Sequence, residues 1–156
     1  MKRAGFFFLG VLAFGIGQTA QQAAPAVASV PANVQIRDAW IRWLPGDIPA
    51  GGYLTLVNGG STTVRLLSAS SADYGQVSLH QSRTEGGMSL MTPVAAITVQ
   101  PRTALDFAAQ GYHLMLLQPK RALKVGDQVA IVLHFEGGGE VVAQFELRPP
   151  DTPLSK

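Results

Sequence analysis

Between residues 34 and 148 no stretch keeps apolar side chains at helical spacing for three turns. Short alternating runs take their place, cut apart by glycine and proline. Val34-Gln35-Ile36-Arg37 leads into Trp40-Ile41-Arg42-Trp43, and 52–57 follows, ending at the turn signature Asn58-Gly59-Gly60-Ser61. Further runs cover 64–69, 76–83, 87–92, 96–99, 104–107 and 112–117, and the runs 128–135 and 140–147 flank Gly137-Gly138-Gly139 as a closing hairpin. Many short strands at roughly ten-residue spacing predict one all-β domain, a Greek-key sandwich or barrel.

The chain ahead of that domain has a different character. Met1-Lys2-Arg3 is a basic start, residues 4–17 carry no charge and are mostly apolar, and a polar, Ala-rich stretch follows. This is the three-part layout of a secretory signal peptide. The apolar run is shorter than the roughly 20 residues a bilayer span wants, so an uncleaved anchor is the weaker alternative. Ala26-Val27-Ala28 fits the small-x-small cleavage rule. The expected organisation is a signal peptide over 1–28, a tether over 29–33, the folded domain over 34–149 and a short tail over 150–156. Pro149, Pro150 and Pro153 stop the last strand. The expected location is the periplasm or another extracytoplasmic space.

Charge and composition remove several function classes. Without Lys2 and Arg3, ten basic residues face ten acidic ones. A nucleic-acid binder needs a concentrated basic surface, which such a balance does not supply. The sequence contains no Cys, which excludes a disulfide framework, a thiolate metal site, a cysteine nucleophile and a cysteine-linked lipid. No nucleophile–base pair or pair of catalytic carboxylates has a positional rationale, so the chain is not expected to be an enzyme.

What stands out is a cluster of soft ligands. Two of the three His and all Met beyond Met1 lie between residues 79 and 116. In Val77-Ser78-Leu79-His80 the apolar residues face the core, and His80 shares the outer face with Ser78. A hairpin centred on Glu85 and Gly86 would set Met91 directly opposite His80, with Cβ atoms about 4.5–5.5 Å apart. Met88 has the opposite parity and is expected to face the core with Leu90. In Tyr112-His113-Leu114-Met115-Leu116, His113 and Met115 project from one face, about 6.8 Å apart along the strand.

Two His-plus-Met pairs could therefore meet as a four-coordinate site of His80, Met91, His113 and Met115. Thioether sulfur is soft and uncharged and favours Cu(I). Zinc prefers thiolate, imidazole or carboxylate, and calcium and magnesium prefer oxygen. A blue-copper centre needs a Cys ligand. His134, with no Met beside it, reads as an ordinary surface or hydrogen-bonded histidine. Trp40 and Trp43 differ in parity and cannot both face the core unless their strand bends; they pack the core and a loop, or form a docking surface. Arg42, Lys120 and Arg121 read as solvated charges, or as contacts for an acidic acceptor.

The order His80, ten residues, Met91, twenty-one residues, His113, one residue, Met115 resembles the H-x10-M-x21-H-x-M signature of the PCu(A)C (PCuAC) family of periplasmic copper chaperones. The likeness extends to Ala39-Trp40-Ile41-Arg42 with Pro45, Gly51-Gly52-Tyr53-Leu54-Thr55-Leu56, and Gly111-Tyr112-His113-Leu114-Met115-Leu116, then Lys120-Arg121 and Gly126-Asp127. It implies a cupredoxin-like β-sandwich with one Cu(I) site formed by His80, Met91, His113 and Met115. It also implies copper delivery to a protein acceptor such as the binuclear copper centre of cytochrome c oxidase, with a Sco-type thiol protein as collaborator. Some members carry a His- and Met-rich tail; this chain ends Pro149-Pro150-Asp151-Thr152-Pro153-Leu154-Ser155-Lys156, so a second tail site is not expected. Two other readings stay open: a copper buffer or tolerance protein with the same site, and a metal-free structural sandwich.

Overall fold

The computed structural model describes residues 33–46 and 48–153. The expected signal peptide, nearly all of the tether and the last three residues of the tail lie outside the described residues. Ten strands follow one another with no α-helix among the described residues. They are β1 (Val34–Arg42), β2 (Ala50–Asn58), β3 (Val64–Ser71), β4 (Tyr74–Glu85), β5 (Met88–Pro93), β6 (Ile97–Val99), β7 (Thr103–Asp106), β8 (Tyr112–Pro119), β9 (Gln128–Phe135) and β10 (Glu140–Arg148).

The strands form one continuous hydrogen-bonded path, β5-β4-β8-β2-β1-β10-β9-β3-β6, with β7 added against β2. All neighbours are antiparallel except β1 and β10. The path closes round a single core. Leu79, Leu114 and Leu116 from one half pack in the same cluster as Leu66, Ile131, Leu133 and Phe145 from the other. This is the all-β architecture expected from the alternation, and it agrees with the cupredoxin-like sandwich that the resemblance implies.

A bulge in β1 decides which face Trp40 takes. The register against β2 shifts between Arg37 and Trp40, and Asp38 adopts a positive φ of 49°. The extra residue flips the alternation, so that Ile41 enters the core cluster along with Val34. Trp40 and Arg42 then share the opposite face, so the two tryptophans do not both face the core cluster. Trp43 packs against the core, and its indole N–H donates to the Leu123 carbonyl at 3.0 Å.

The turn after β2 is held by a fully buried amide. Asn58 Nδ2 lies within hydrogen-bond distance of the carbonyls of Thr62 (2.8 Å), Val99 (3.2 Å) and Gln100 (3.1 Å). Its Oδ1 accepts from the Gly60 N–H at 3.0 Å. The tail does not leave the domain at once: Arg42 Nη2 donates to the Thr152 carbonyl at 3.3 Å.

Candidate metal centre

The strand order places β4 and β8 side by side, and their register decides the site. His80 and His113 are direct partners, with ring centroids 5.9 Å apart and planes inclined by 34°. Ser78 is the partner of Met115 in the same ladder. Opposed residues of an antiparallel pair point to the same face, so all four side chains stand together. The intervening Leu79, Leu114 and Leu116 lie on the other face and are buried in the core.

The β4–β5 hairpin differs from the expected one. Its two-residue turn is Gly86-Gly87, with φ of 58° and 79°, and it pairs Glu85 with Met88. Positive φ at both central residues is the signature of the type I′ turn, which two consecutive glycines adopt without strain. The register therefore slides by two residues. Met91 faces Ser82, and His80 faces Pro93. An even slide preserves parity, so Met91 remains on the His80 face, one pair further along.

Met88 is a second correction. It is 67% exposed, not a core residue, because β5 is the edge of the path and extends past the packed layer. Leu90, its expected companion in the core, is exposed as well.

His113, Met115 and Met91 line one cavity of about 200 Å³, together with Arg42, Gly51 and Tyr53. Met91 is 53% exposed at its mouth, and His113 is only 5% exposed at its back. Each imidazole has one nitrogen engaged and one buried without a hydrogen-bond partner. His113 Nδ1–H donates to the Gly111 carbonyl at 3.2 Å, which leaves the Nε2 lone pair unused. His80 Nε2 lies 3.1 Å from Ser78 Oγ, which can accept its proton, and this leaves the Nδ1 lone pair unused. An orphaned buried nitrogen carries a desolvation cost of roughly 1–3 kcal/mol, which a metal bond would remove. One orphan on each of two facing rings therefore fits a shared ion.

Burial, the larger effect, pushes His113 below its ordinary value of 6.5. The Gly111 carbonyl pulls it back up, and His80 presses it down further. The neutral imidazole that a metal requires is thus the favoured form. Among the described residues no three His, Asp or Glu side chains gather at one place. The donor set of this face is two imidazoles with thioethers, which suits a soft monovalent ion.

His134 stands apart on β9. Its Nε2 is 2.8 Å from Ser70 Oγ and its Nδ1 3.0 Å from Glu140 Oε1, so both nitrogens are occupied. Arg121 is ion-paired with Asp73 at 2.6 Å and Asp127 at 3.3 Å. Arg42 does not behave as a solvated charge. Its guanidinium lies 5.9 Å from the Trp40 ring centroid and 5.8 Å from that of Tyr53, and its Nε is buried with no hydrogen-bond partner. The sequence held the signal for this contact, since Trp40 and Arg42 share parity, but nothing in it placed Tyr53 beside them.

Comparison with known proteins agrees with this architecture. The copper-bound PCuAC domain from PmoF2 is 26% identical, with a TM-score of 0.64 over 78% of this chain and 97% of that one. The solution structure of CuI-DR1885 from Deinococcus radiodurans is 28% identical, with a TM-score of 0.60 over 83% of this chain and 85% of that one. Among curated sequences, Lxx21020 of Leifsonia xyli subsp. xyli, named as a lipoprotein, is 27% identical over 73% of this chain and 71% of its own length. RP573 of Rickettsia prowazekii is 27% identical over 67% of this chain, and the match spans 58% of RP573. The model of the LpqE-like lipoprotein family matches residues 34–147, so the chain belongs to the LpqE-like family.

Proposed function

We propose that this domain is an extracytoplasmic Cu(I) carrier in which His80, Met91, His113 and Met115 hold one ion. The observation that carries the reading is the facing pair His80 and His113, each with one buried nitrogen left without a partner. His80 Nδ1 and His113 Nε2 supply the imidazole donors, and Met115 and Met91 supply thioethers from the same face. Uncharged ligands hold Cu(I) without neutralising it, which leaves the ion easier to release than two thiolates would. The copper-bound form of the PmoF2 domain and the Cu(I) form of DR1885 support this reading.

Delivery proceeds by ligand exchange from the exposed side. Met91 sits on the edge strand at the cavity mouth and is the ligand an acceptor's donor reaches first. The buried His113 is the last to let go. That gradient favours a delivery protein over a closed buffer, and an acceptor such as the binuclear copper centre of cytochrome c oxidase, served with a Sco-type thiol protein, fits the role. The Leifsonia relative is named as a lipoprotein, whereas these residues include no cysteine. The N-terminal signal pattern supports export instead.

The test is an anaerobic Cu(I) competition titration of residues 29–156 against a chromophoric chelator. One equivalent, weakened by His80→Ala, Met91→Leu, His113→Ala and Met115→Leu and untouched by His134→Ala, is expected. Absence of competitive binding by the folded protein overturns the reading in favour of a structural module.

A further inference from the structure

A single row of backbone partners crosses four neighbouring strands: Arg42 on β1 pairs with Gly51 on β2, Gly51 with Met115 on β8, and Met115 with Ser78 on β4. Strands lie about 4.8 Å apart, so the Arg42 backbone is about 10 Å from that of Met115. Only a glycine stands between them on that face. A Cβ at Gly51 would come within 2.6 Å of Tyr53 Oη, so the missing side chain is what lets the Tyr53 ring lie over the row. Arg42, Tyr53, His113, Met91 and Met115 all line the same cavity, and no carboxylate of the described residues lines it.

Among the described residues the guanidinium is held by neutral groups. It lies beside the Tyr53 and Trp40 rings, themselves 4.8 Å apart, and among the described residues its hydrogen bond goes to the neutral Thr152 carbonyl. Among the described residues it makes no ion pair. Arg148, which also lies over Trp40, is paired with Glu146 at 2.9 Å. The field of Arg42 is felt inside the cluster: burial raises the Tyr53 hydroxyl, and Arg42 pulls it back down.

We infer that Arg42 is the oxidation-state-selecting residue of the metal centre, a fixed positive charge that disfavours Cu(II) more than Cu(I). This role rests on the copper reading above. The ligands contribute no negative charge, so the repulsion from Arg42 acts on the full charge of the ion. The divalent ion feels twice the repulsion of the monovalent one. With the backbone separation of about 10 Å taken as the scale and the effective dielectric of a protein surface, one unit charge changes the Cu(II)/Cu(I) affinity ratio about tenfold. The same field keeps Cu(I) itself from being held too tightly to pass on.

The experiment is a spectroelectrochemical titration of the copper-loaded protein, comparing wild type with Arg42→Gln and Arg42→Lys. Arg42→Gln is expected to lower the reduction potential by about 59 mV, the one-electron equivalent of tenfold. Arg42→Lys, which keeps the charge and loses the planar stack, is expected to keep the affinity ratio within about twofold of wild type. An unchanged potential in Arg42→Gln, or an equal drop in both variants, overturns the inference and leaves the copper reading standing. A wild-type protein that takes up copper in neither oxidation state overturns both. Should Arg42→Gln fail to fold, Ala109→Glu decides the matter with Arg42 in place. A carboxylate added to the cavity wall must lower the potential as well, and no shift there overturns the inference.

Discussion

His80 and His113 face each other across the β4–β8 ladder with ring centroids 5.9 Å apart, and each turns a different nitrogen inward. The difference comes from backbone surroundings. Gly111, two residues before His113, offers a carbonyl to Nδ1, whereas Ser78, two residues before His80, offers a hydroxyl to Nε2. The nitrogen left without a hydrogen bond is therefore Nε2 on His113 and Nδ1 on His80.

In the proposed site Ser78 acts on the metal only through the orientation of His80. Partners that orient a ligating histidine typically change affinity 10–100-fold when removed. Ser78→Ala is expected to weaken Cu(I) binding about tenfold and to redistribute the His80 tautomers, read from its imidazole nitrogen resonances in the metal-free protein. Unaltered tautomers together with unaltered affinity would show that the 3.1 Å contact is incidental.

The titration of His113 ties the metal-free fold to pH. Its value is 6.5 in the unfolded chain and lower when folded, because burial opposes the charge. As pH drops below 6.5 the unfolded chain takes up the proton first. Stability contributed by the neutral ring is therefore complete above 6.5 and declines below it, down through the folded value. Urea midpoints of metal-free wild type should fall between pH 7.5 and 5.5, and His113→Gln should fall less.

Met91 is a proposed ligand without a structural duty. It is 53% exposed on an edge strand, and exposed substitutions usually stay within about 0.5 kcal/mol. Met91→Leu is expected to leave thermal unfolding of the metal-free protein unchanged while weakening Cu(I) by about tenfold, or about 1.4 kcal/mol. Met115→Leu, deeper in the cavity, should weaken it more. A matched calorimetric and competition series on the two variants checks the order.

Gly51 is reserved by its neighbour. The added methyl of Gly51→Ala meets Tyr53 Oη at 2.6 Å, and overpacking of this kind costs about 1–3 kcal/mol. The loss should shrink when Tyr53→Phe is combined with it, a non-additive pair measurable by denaturant unfolding. Additive costs would mean that the Tyr53 hydroxyl is not the obstacle.

Asn58 joins the end of β2 to the β6–β7 connection through the Val99 and Gln100 carbonyls. Asn58→Ala strands buried carbonyls, at about 1–3 kcal/mol for an unsatisfied group. Because Asn58 is remote in register from His113 and Met115, the variant should still bind one Cu(I) below its lowered unfolding temperature.

Alternation and turn residues were enough to locate all ten strands, because a half-buried strand writes its burial into every second residue. Parity did the same for the site: His80, Met91, His113 and Met115 share one face because the true hairpin register differs from the expected one by an even step. The step itself was not legible, because Glu85-Gly86 and Gly86-Gly87 both read as turns. Only the backbone shows that the two glycines take the two positive-φ positions. Met88 was misplaced for a related reason, as periodicity marks a face without saying whether another layer covers it.

The sequence by itself determined the fold class, the faces of the strands and the chemical softness of the ligand cluster, all properties that local spacing carries. The tertiary structure decided what depends on non-local neighbours. The β4–β8 ladder made His80 and His113 partners, and burial left one nitrogen on each without a hydrogen bond. The bulge at Asp38 turned Trp40 and Arg42 to the site's face, and the β1–β2–β8 order set Arg42 two strands from Met115 across a glycine. Charge and desolvation act through space, so their consequences become readable only once strand order has fixed which residues are near.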